Sequence, residues 1–352
     1  MYRHMYDGWN VYGSDLFHAI GGTPTCRKLS QAFYARVEKD PLLRPLFPGK
    51  TFKCAIEEFA AFLVQFLGGP GEDSQRRWWL SLRQSHRRFK IGPEHGDAWM
   101  RQMVKALEDA GIGEPAGSAL RHFFERASAY IIDRELPGAS TNQELTNQEL
   151  ARRWDSQRAL DDAVAAVHNG DADRAVALAE TCDRAVLPGL LALMIGAGNG
   201  ALAAYVRERL TREPALVRRR YAGRTLLHAA AGAGNLAAVE LLLGLGADPN
   251  AVDGGKHAPL YSVGNECMGA GCAEVVRLLV RTGARVDANE GAKRCTALHM
   301  AARRGNAAVA RALLDCGAAF DARDRNGDTP LQRAINCRKT EVATLLQTYF
   351  CP

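Results

Sequence analysis

The chain has no apolar run approaching the roughly eighteen residues that a membrane-spanning helix needs. Its opening residues, Met1-Tyr-Arg-His-Met-Tyr-Asp-Gly8, lack the apolar core of a secretion signal. Lys and Arg are spread along the sequence, with a formal net charge of +6 and no block of about five or six like charges. Neither a membrane nor a nucleic acid is therefore expected as a partner, and Arg76-Arg77, Arg87-Arg88 and Arg218-Arg219-Arg220 read as solvated helix faces. Cysteine is present, but its nine copies are an odd number and scattered, which excludes a secreted disulfide framework and implies a reducing, cytoplasmic location. Cys267 and Cys272 flank Gly269-Ala270-Gly271 with looser spacing than a zinc pair and no second ligand pair nearby, so no zinc site is expected there.

What is there is an ordinary globular composition over 352 residues, 47% hydrophobic and 24% charged. That is enough for two or three domains of about 100–200 residues. The residue usage changes near position 137. Before it aromatics are frequent, among them Phe33, Tyr34, Phe47, Phe59, Phe62, Trp99 and Phe124; after it Ala, Leu, Gly and Arg dominate. Between lie Leu136-Pro137-Gly138-Ala139-Ser140 and the duplication Thr-Asn-Gln-Glu-Leu at 141–150, which read as a linker turning helical towards Trp154. The expected division is a domain at 14–136, a linker at 137–157 and a second domain at 158–350.

The second domain repeats itself. Thr225-Leu-Leu-His228 recurs as Ala258-Pro-Leu-Tyr261, Thr296-Ala-Leu-His299 and Thr329-Pro-Leu-Gln332, at intervals of 33, 38 and 33 residues. Thr caps a first helix and Pro suits its first turn. An Ala-rich helix, a Gly turn, a second helix and an ending such as Gly246-Ala-Asp-Pro-Asn250 follow, and Asn326-Gly327 supplies a tight turn before the last unit. This pattern resembles the ankyrin repeat. Four clear units cover 223–350, and two degenerate ones, around Asn169-Gly170 and around Leu190-Leu191 with Gly198-Asn199, cover 158–222. The resemblance implies a helical solenoid that binds a protein partner, with a structural hydrogen-bonding role for His228 and His299. Extra residues around Gly264 to Met268 mark a local elaboration at a helix–helix turn.

In the first domain Phe52, Ile56, Phe59, Leu63 and Phe66 recur at helical spacing, and Gly68-Gly69-Pro70 ends that stripe. Leu29, Phe33, Tyr34 and Val37 line an earlier helix after Gly21-Gly22-Thr23. Trp99, Met103 and Leu107 line a later one, and Leu120, Phe124, Ala127 and Ile131 a last one. Periodicity alone describes an aromatic helical core. His86, ahead of a Trp-bearing helix and after the second Gly-Gly corner, has the makings of a haem-iron ligand.

Phe33-Tyr34-Ala-Arg-Val37, Asp40 to Pro48, Phe62 to Pro70, His86-Arg-Arg-Phe-Lys-Ile91 and Asp97-Ala-Trp-Met100 resemble the truncated haemoglobins, and Trp99 points to their second group. The implied fold class is all-α: a 2-on-2 helical globin domain followed by the ankyrin solenoid. The resemblance implies haem b with His86 as proximal iron ligand, Tyr34 and Trp99 as distal donors, Phe47 against the haem face, Ala55 at the distal gate, Phe59 above the iron and Arg83 beside a propionate. A diatomic gas (O2, CO or NO) is the implied ligand. A gas or redox sensor is the expected function; a nitric-oxide dioxygenase or peroxidase-like enzyme localised by the repeats is the alternative, and whether the chain is an enzyme stays open. Arg77-Trp78-Trp79 replaces a Gly-His-Pro run common in that group. His95, His18 and His122 are expected to be ordinary helix residues.

Overall fold

The computed structural model describes residues 16–47, 49–70, 81–133, 148–182, 184 and 186–349, which divide into two compact units at Asp162 and Ala163. Arg77-Trp78-Trp79 and the linker residues 137–147 lie outside the described residues.

In the first unit α1 (Leu16–Ala19) leads through the Gly21-Gly22 corner into α2 (Gly22–Val37). Both glycines have positive φ, +98° and +67°, which side-chain-bearing residues rarely adopt. The Phe stripe forms α3 (Lys53–Phe66), closed by Gly68 at φ +86°. After α4 (Leu82–His86) come α5 (Pro93–Ala110) and α6 (Ala116–Ile131). Pro93 fills the first turn of α5, where His95 Nδ1 accepts the Gly92 N–H at 3.1 Å. His95 is thus a capping residue. α2 packs on α3, α5 packs on α6, and the pairs meet through α2 and α5. This is the expected two-on-two arrangement.

The core of this unit is aromatic. Phe66 and Phe123 stack with centroids 4.2 Å apart, and Phe33, Phe123 and Phe124 are fully buried. Burying such a side chain stabilises by about 1.5–3 kcal/mol. The exposed pair Arg27–Glu57, at 3.0 Å, contributes under about 1 kcal/mol, so packing rather than charge holds the bundle.

Within the stretch 137–157 read as a linker, the chain is helical from Gln148 onward, where α7 (Gln148–Asn169) begins. Leu150 and Trp154 are buried in the first unit's core, Trp154 edge-on to Phe123 at 5.8 Å and to Tyr130 at 5.3 Å. An apolar residue followed four positions later by a large aromatic gives this polar helix a face to dock.

The second unit continues with α8 (Ala172–Thr181), then the pairs α9 (Leu187–Gly196) and α10 (Gly200–Arg212), α11 (Leu226–Ala233) and α12 (Leu236–Gly244), α13 (Pro259–Glu266) and α14 (Cys272–Arg281), α15 (Ala297–Arg304) and α16 (Ala307–Asp315), and α17 (Pro330–Asn336) and α18 (Thr340–Gln347). The odd-numbered helices from α9 to α17 stack in one row and the even-numbered ones from α10 to α18 in another. The sheet among the described residues is a two-residue hairpin, β1 (Arg220–Tyr221) with β2 (Arg224–Thr225).

Two motif asparagines make the same bonds in the units of α11–α12 and α15–α16. Asn235 caps α12 through Ala238 N–H (3.1 Å) and donates to Ile195 O (2.9 Å); Asn306 caps α16 through Val309 N–H (3.0 Å) and donates to Cys267 O (2.9 Å). The elaborated unit carries one departure from the expectation of reduced thiols: Cys267 and Cys272 are joined, their Cα atoms 6.0 Å apart across the turn between α13 and α14. The turn itself brings the two cysteines within disulfide range. No group of three or more His, Cys, Asp or Glu suited to a metal ion occurs among the described residues. No described helix is long and apolar enough to cross a membrane.

Candidate functional site

The site begins on α4. Ser81, in extended conformation, caps this helix by accepting the Gln84 N–H at 3.0 Å. His86 is the last residue of α4, and its Nδ1 lies 2.8 Å from the Leu82 carbonyl oxygen and 2.9 Å from Ser85 Oγ. A carbonyl oxygen only accepts, so the bond to Leu82 places the imidazole proton on Nδ1 and leaves the lone pair on Nε2. Nε2 has no hydrogen-bond partner among the described residues. Desolvation holds the His86 pKa below its ordinary value, opposed by the Leu82 carbonyl and the Asp161 charge and assisted by Arg88. The neutral ring that a metal ligand requires is therefore favoured.

From His86 a row of aromatic rings crosses to α2. His86 lies 6.3 Å from Phe89, Phe89 5.5 Å from Phe47, and Phe47 5.7 Å from Tyr34, edge-on. Tyr34 also contacts Phe59 at 6.4 Å and neighbours Phe33, which in turn lies 5.2 Å from Trp99. Trp99 closes the set against Phe124 at 5.6 Å. The structure thus brings together His86, Tyr34, Phe47, Phe59 and Trp99 from α4, α2, the segment before α3, α3 and α5. Ala55, on the first turn of α3, packs half-buried against the same core.

These side chains are unusual in being large, apolar and only partly buried: Tyr34, Phe47, Ile56, Phe59, Trp99 and Met100 flank the core without being sealed by it. That is the lining a flat apolar macrocycle requires. Among the described residues neither the Tyr34 hydroxyl nor the Trp99 indole N–H is spent on a protein partner. Burial first, and the nearby Glu58 charge second, push the Tyr34 phenol well above its ordinary pKa, so its hydroxyl keeps the proton and remains a donor. An imidazole with a free Nε2, an apolar lining and two unspent donors fit a haem with a small polar ligand.

Arg83 is placed differently from the other expected residues. Its guanidinium stacks 4.1 Å from the Tyr130 ring and pairs with Asp133 at 3.1 Å, on the side of α6. Three participants were not singled out by sequence reasoning. Phe89 bridges His86 and Phe47, and its position three residues after His86 is the signal that could have found it. Arg88 contributes a positive charge felt at both Tyr34 and His86. Asp161 accepts the Leu82 and Arg83 amides at 2.9 and 3.1 Å, from 79 and 78 residues along the chain, with no local signal.

Comparison with known proteins gives the family of each unit. Residues 15–132 match the bacterial-like globin family model; residues 222–254 match the ankyrin repeat and 266–350 a three-copy ankyrin model. The group 2 truncated hemoglobin YjbI of Bacillus subtilis is 35% identical over 96 residues, 27% of this chain and 71% of that protein. Group 2 truncated hemoglobin 3-1 of Lotus japonicus is 30% identical over 122 residues, 34% of this chain and 72% of that protein. The repeats are similar to the B-cell lymphoma 3 protein homolog of Mus musculus, 36% identical over 126 residues, 35% of this chain and 27% of that protein. With its two-on-two bundle, its aromatic pocket and its stacked helix pairs, the chain belongs to the group 2 truncated haemoglobins and carries ankyrin repeats beyond its globin domain.

Proposed function

We propose that the first unit binds haem b through His86 Nε2 and, with it, a diatomic gas, and that the state of this site biases what the ankyrin repeats bind. The haem supplies an iron with an open coordination position for O2, CO or NO. His86 Nδ1–H, held by the Leu82 carbonyl, fixes the orientation of the ring and makes Nε2 a better ligand. Phe47 and Phe59 would exclude water from a bound haem, and the small Ala55 side chain would leave room for a small molecule beside it. The Tyr34 hydroxyl and the Trp99 indole N–H would be the donors to a bound gas, and such bonds are stronger in a dry, low-dielectric pocket.

The observation that carries this reading is the asymmetry of His86: one ring nitrogen is fixed by its own helix, and the other is unspent beside an aromatic cluster with two available donors. The test is the absorption spectrum of wild-type and His86→Ala protein, oxidised and reduced, with and without CO. A Soret band that shifts with CO in the wild type and is lost or strongly altered in His86→Ala is expected. An identical spectrum for the two proteins would overturn the assignment of His86. The sensor function is supported by the covalent joining of a ligand-binding domain to a binding scaffold. It requires partner affinity to differ between ligand-free and CO-bound protein, and equal affinities would sink it.

A further inference from the structure

Helix α4 has five residues, too few to hold its shape through its own hydrogen bonds. Its opening amides are satisfied from elsewhere. Gln84 N–H goes to Ser81 Oγ, whereas Leu82 N–H and Arg83 N–H donate to Oδ1 and Oδ2 of Asp161. Asp161 is 4% exposed, and Gln157 Nε2 donates to its Oδ1 at 2.8 Å. That side-chain donor, like both amides, leaves the carboxylate held from within the first unit.

One peptide group stands between this carboxylate and His86. The unit formed by the Leu82 carbonyl and the Arg83 amide is bonded at both ends: its N–H donates to Asp161 at 3.1 Å, and its oxygen lies 2.8 Å from His86 Nδ1. A carboxylate at the N–H end polarises the peptide and makes its carbonyl oxygen a stronger acceptor. A stronger acceptor on Nδ1–H raises the basicity of Nε2, the nitrogen left for a metal.

From this chain of bonds we propose that Asp161 is a positioning residue for His86, setting both the orientation and the donor strength of Nε2 through the Leu82–Arg83 peptide. The inference rests on the reading of His86 as the haem ligand. Asp161 lies on α7, beyond the globin-matched segment 15–132 and one residue before the first unit ends at Asp162. The globin-like segment therefore does not contain everything that defines its own ligand; the helix leading towards the repeats supplies part of it.

The test uses the full chain in three forms: wild type, Asp161→Asn and Gln157→Met. In the ferrous, gas-free proteins, resonance Raman reads the iron–histidine stretching band, and transfer to an excess of apomyoglobin reads haem loss. Asp161→Asn removes the charge at nearly constant shape. Its band should move to lower frequency and haem should leave roughly tenfold faster. Gln157→Met takes one donor from the carboxylate and leaves the peptide untouched, so its band should move the opposite way. Unchanged bands, or bands displaced in the same direction in both variants, would overturn the proposal, since simple loosening of α4 has no reason to change sign. Hydrogen exchange on haem-free protein separates the two layers. If wild type takes up no haem, the ligand reading fails; faster exchange of the Leu82 and Arg83 amides in Asp161→Asn would still support the hold on α4, and unchanged exchange would remove it as well.

Discussion

The two units use buried histidine in opposite ways. In the repeats both ring nitrogens are committed to protein: His228 Nδ1 lies 2.8 Å from Thr225 Oγ1 and Nε2 3.0 Å from His257 O; His299 Nδ1 lies 2.9 Å from Thr296 Oγ1 and Nε2 3.1 Å from Asp328 O. Each ring closes its own helix start and reaches the loop of the next unit, so it is a structural rivet with no lone pair to offer. His86 commits only Nδ1. The comparison teaches that what makes a histidine a ligand is the nitrogen that folding leaves unspent, and burial alone does not distinguish the two cases.

Exchanging the probes breaks or sharpens that contrast. His86→Ala should abolish or strongly alter the Soret band while leaving the far-ultraviolet circular dichroism of the repeats intact. His228→Ala should do the reverse, keeping the Soret band and lowering the denaturant midpoint of the repeats. It leaves a buried carbonyl and a helix cap unsatisfied, at a cost of about 1–3 kcal/mol each. All five tryptophans precede residue 155, so their fluorescence follows the first unit while circular dichroism follows both, and the two transitions should separate.

Acid offers a graded version of the same test. Burial, acting most strongly, lowers the His228 pKa to about 4 and lowers that of His299 as well, against an ordinary value of 6.5. The unfolded chain then binds protons that the folded repeats refuse. The contribution is fully present above about pH 6.5 and is lost as pH falls towards about 4, amounting to a few kcal/mol. Urea midpoints of the repeat transition measured between pH 7.5 and pH 4.5 check this, and a flat profile would show that these rings are free to ionise in place.

Smaller effects refine the pocket. Tyr34→Phe and Trp99→Phe each remove one donor, and each should speed gas dissociation by roughly tenfold, about 1.4 kcal/mol, measured by flash photolysis and stopped flow. The smallest change is expected for Arg83→Ala. Its guanidinium is exposed and pairs with Asp133 at 3.1 Å, so haem retention should stay close to wild type. A large loss there would return Arg83 to the pocket.

Much of this molecule was legible before any coordinate. The repeats are the clearest case, because two of the four clear units reuse the same local devices, a Thr at the helix start, a His three residues on and an Asn at the turn, and the other two keep part of the pattern. Such devices act over three or four residues and leave a periodic trace. The Phe stripe of α3 and the Gly-Gly corners are local in the same sense. The turn to helix towards Trp154 was legible, but which residues of α7 dock was not: Leu150 and Trp154 stand among polar neighbours, and only the surface they cover makes them core residues of the first unit. The joined Cys267 and Cys272 were missed for a related reason, since their proximity is made by the turn between α13 and α14.

The sequence by itself determined the helical class, the repeat period and the identity of the aromatic and histidine residues available for a pocket, because periodicity and capping are short-range chemistry written in neighbouring letters. Tertiary structure alone decided which nitrogen of His86 is left unspent, that Arg83 turns towards Tyr130 and Asp133, and that Asp161 reaches back across 78 residues to the peptide that holds the ring. Those outcomes depend on which backbone and side-chain groups meet in three dimensions, and a hydrogen bond between distant residues leaves no mark in the spacing of either.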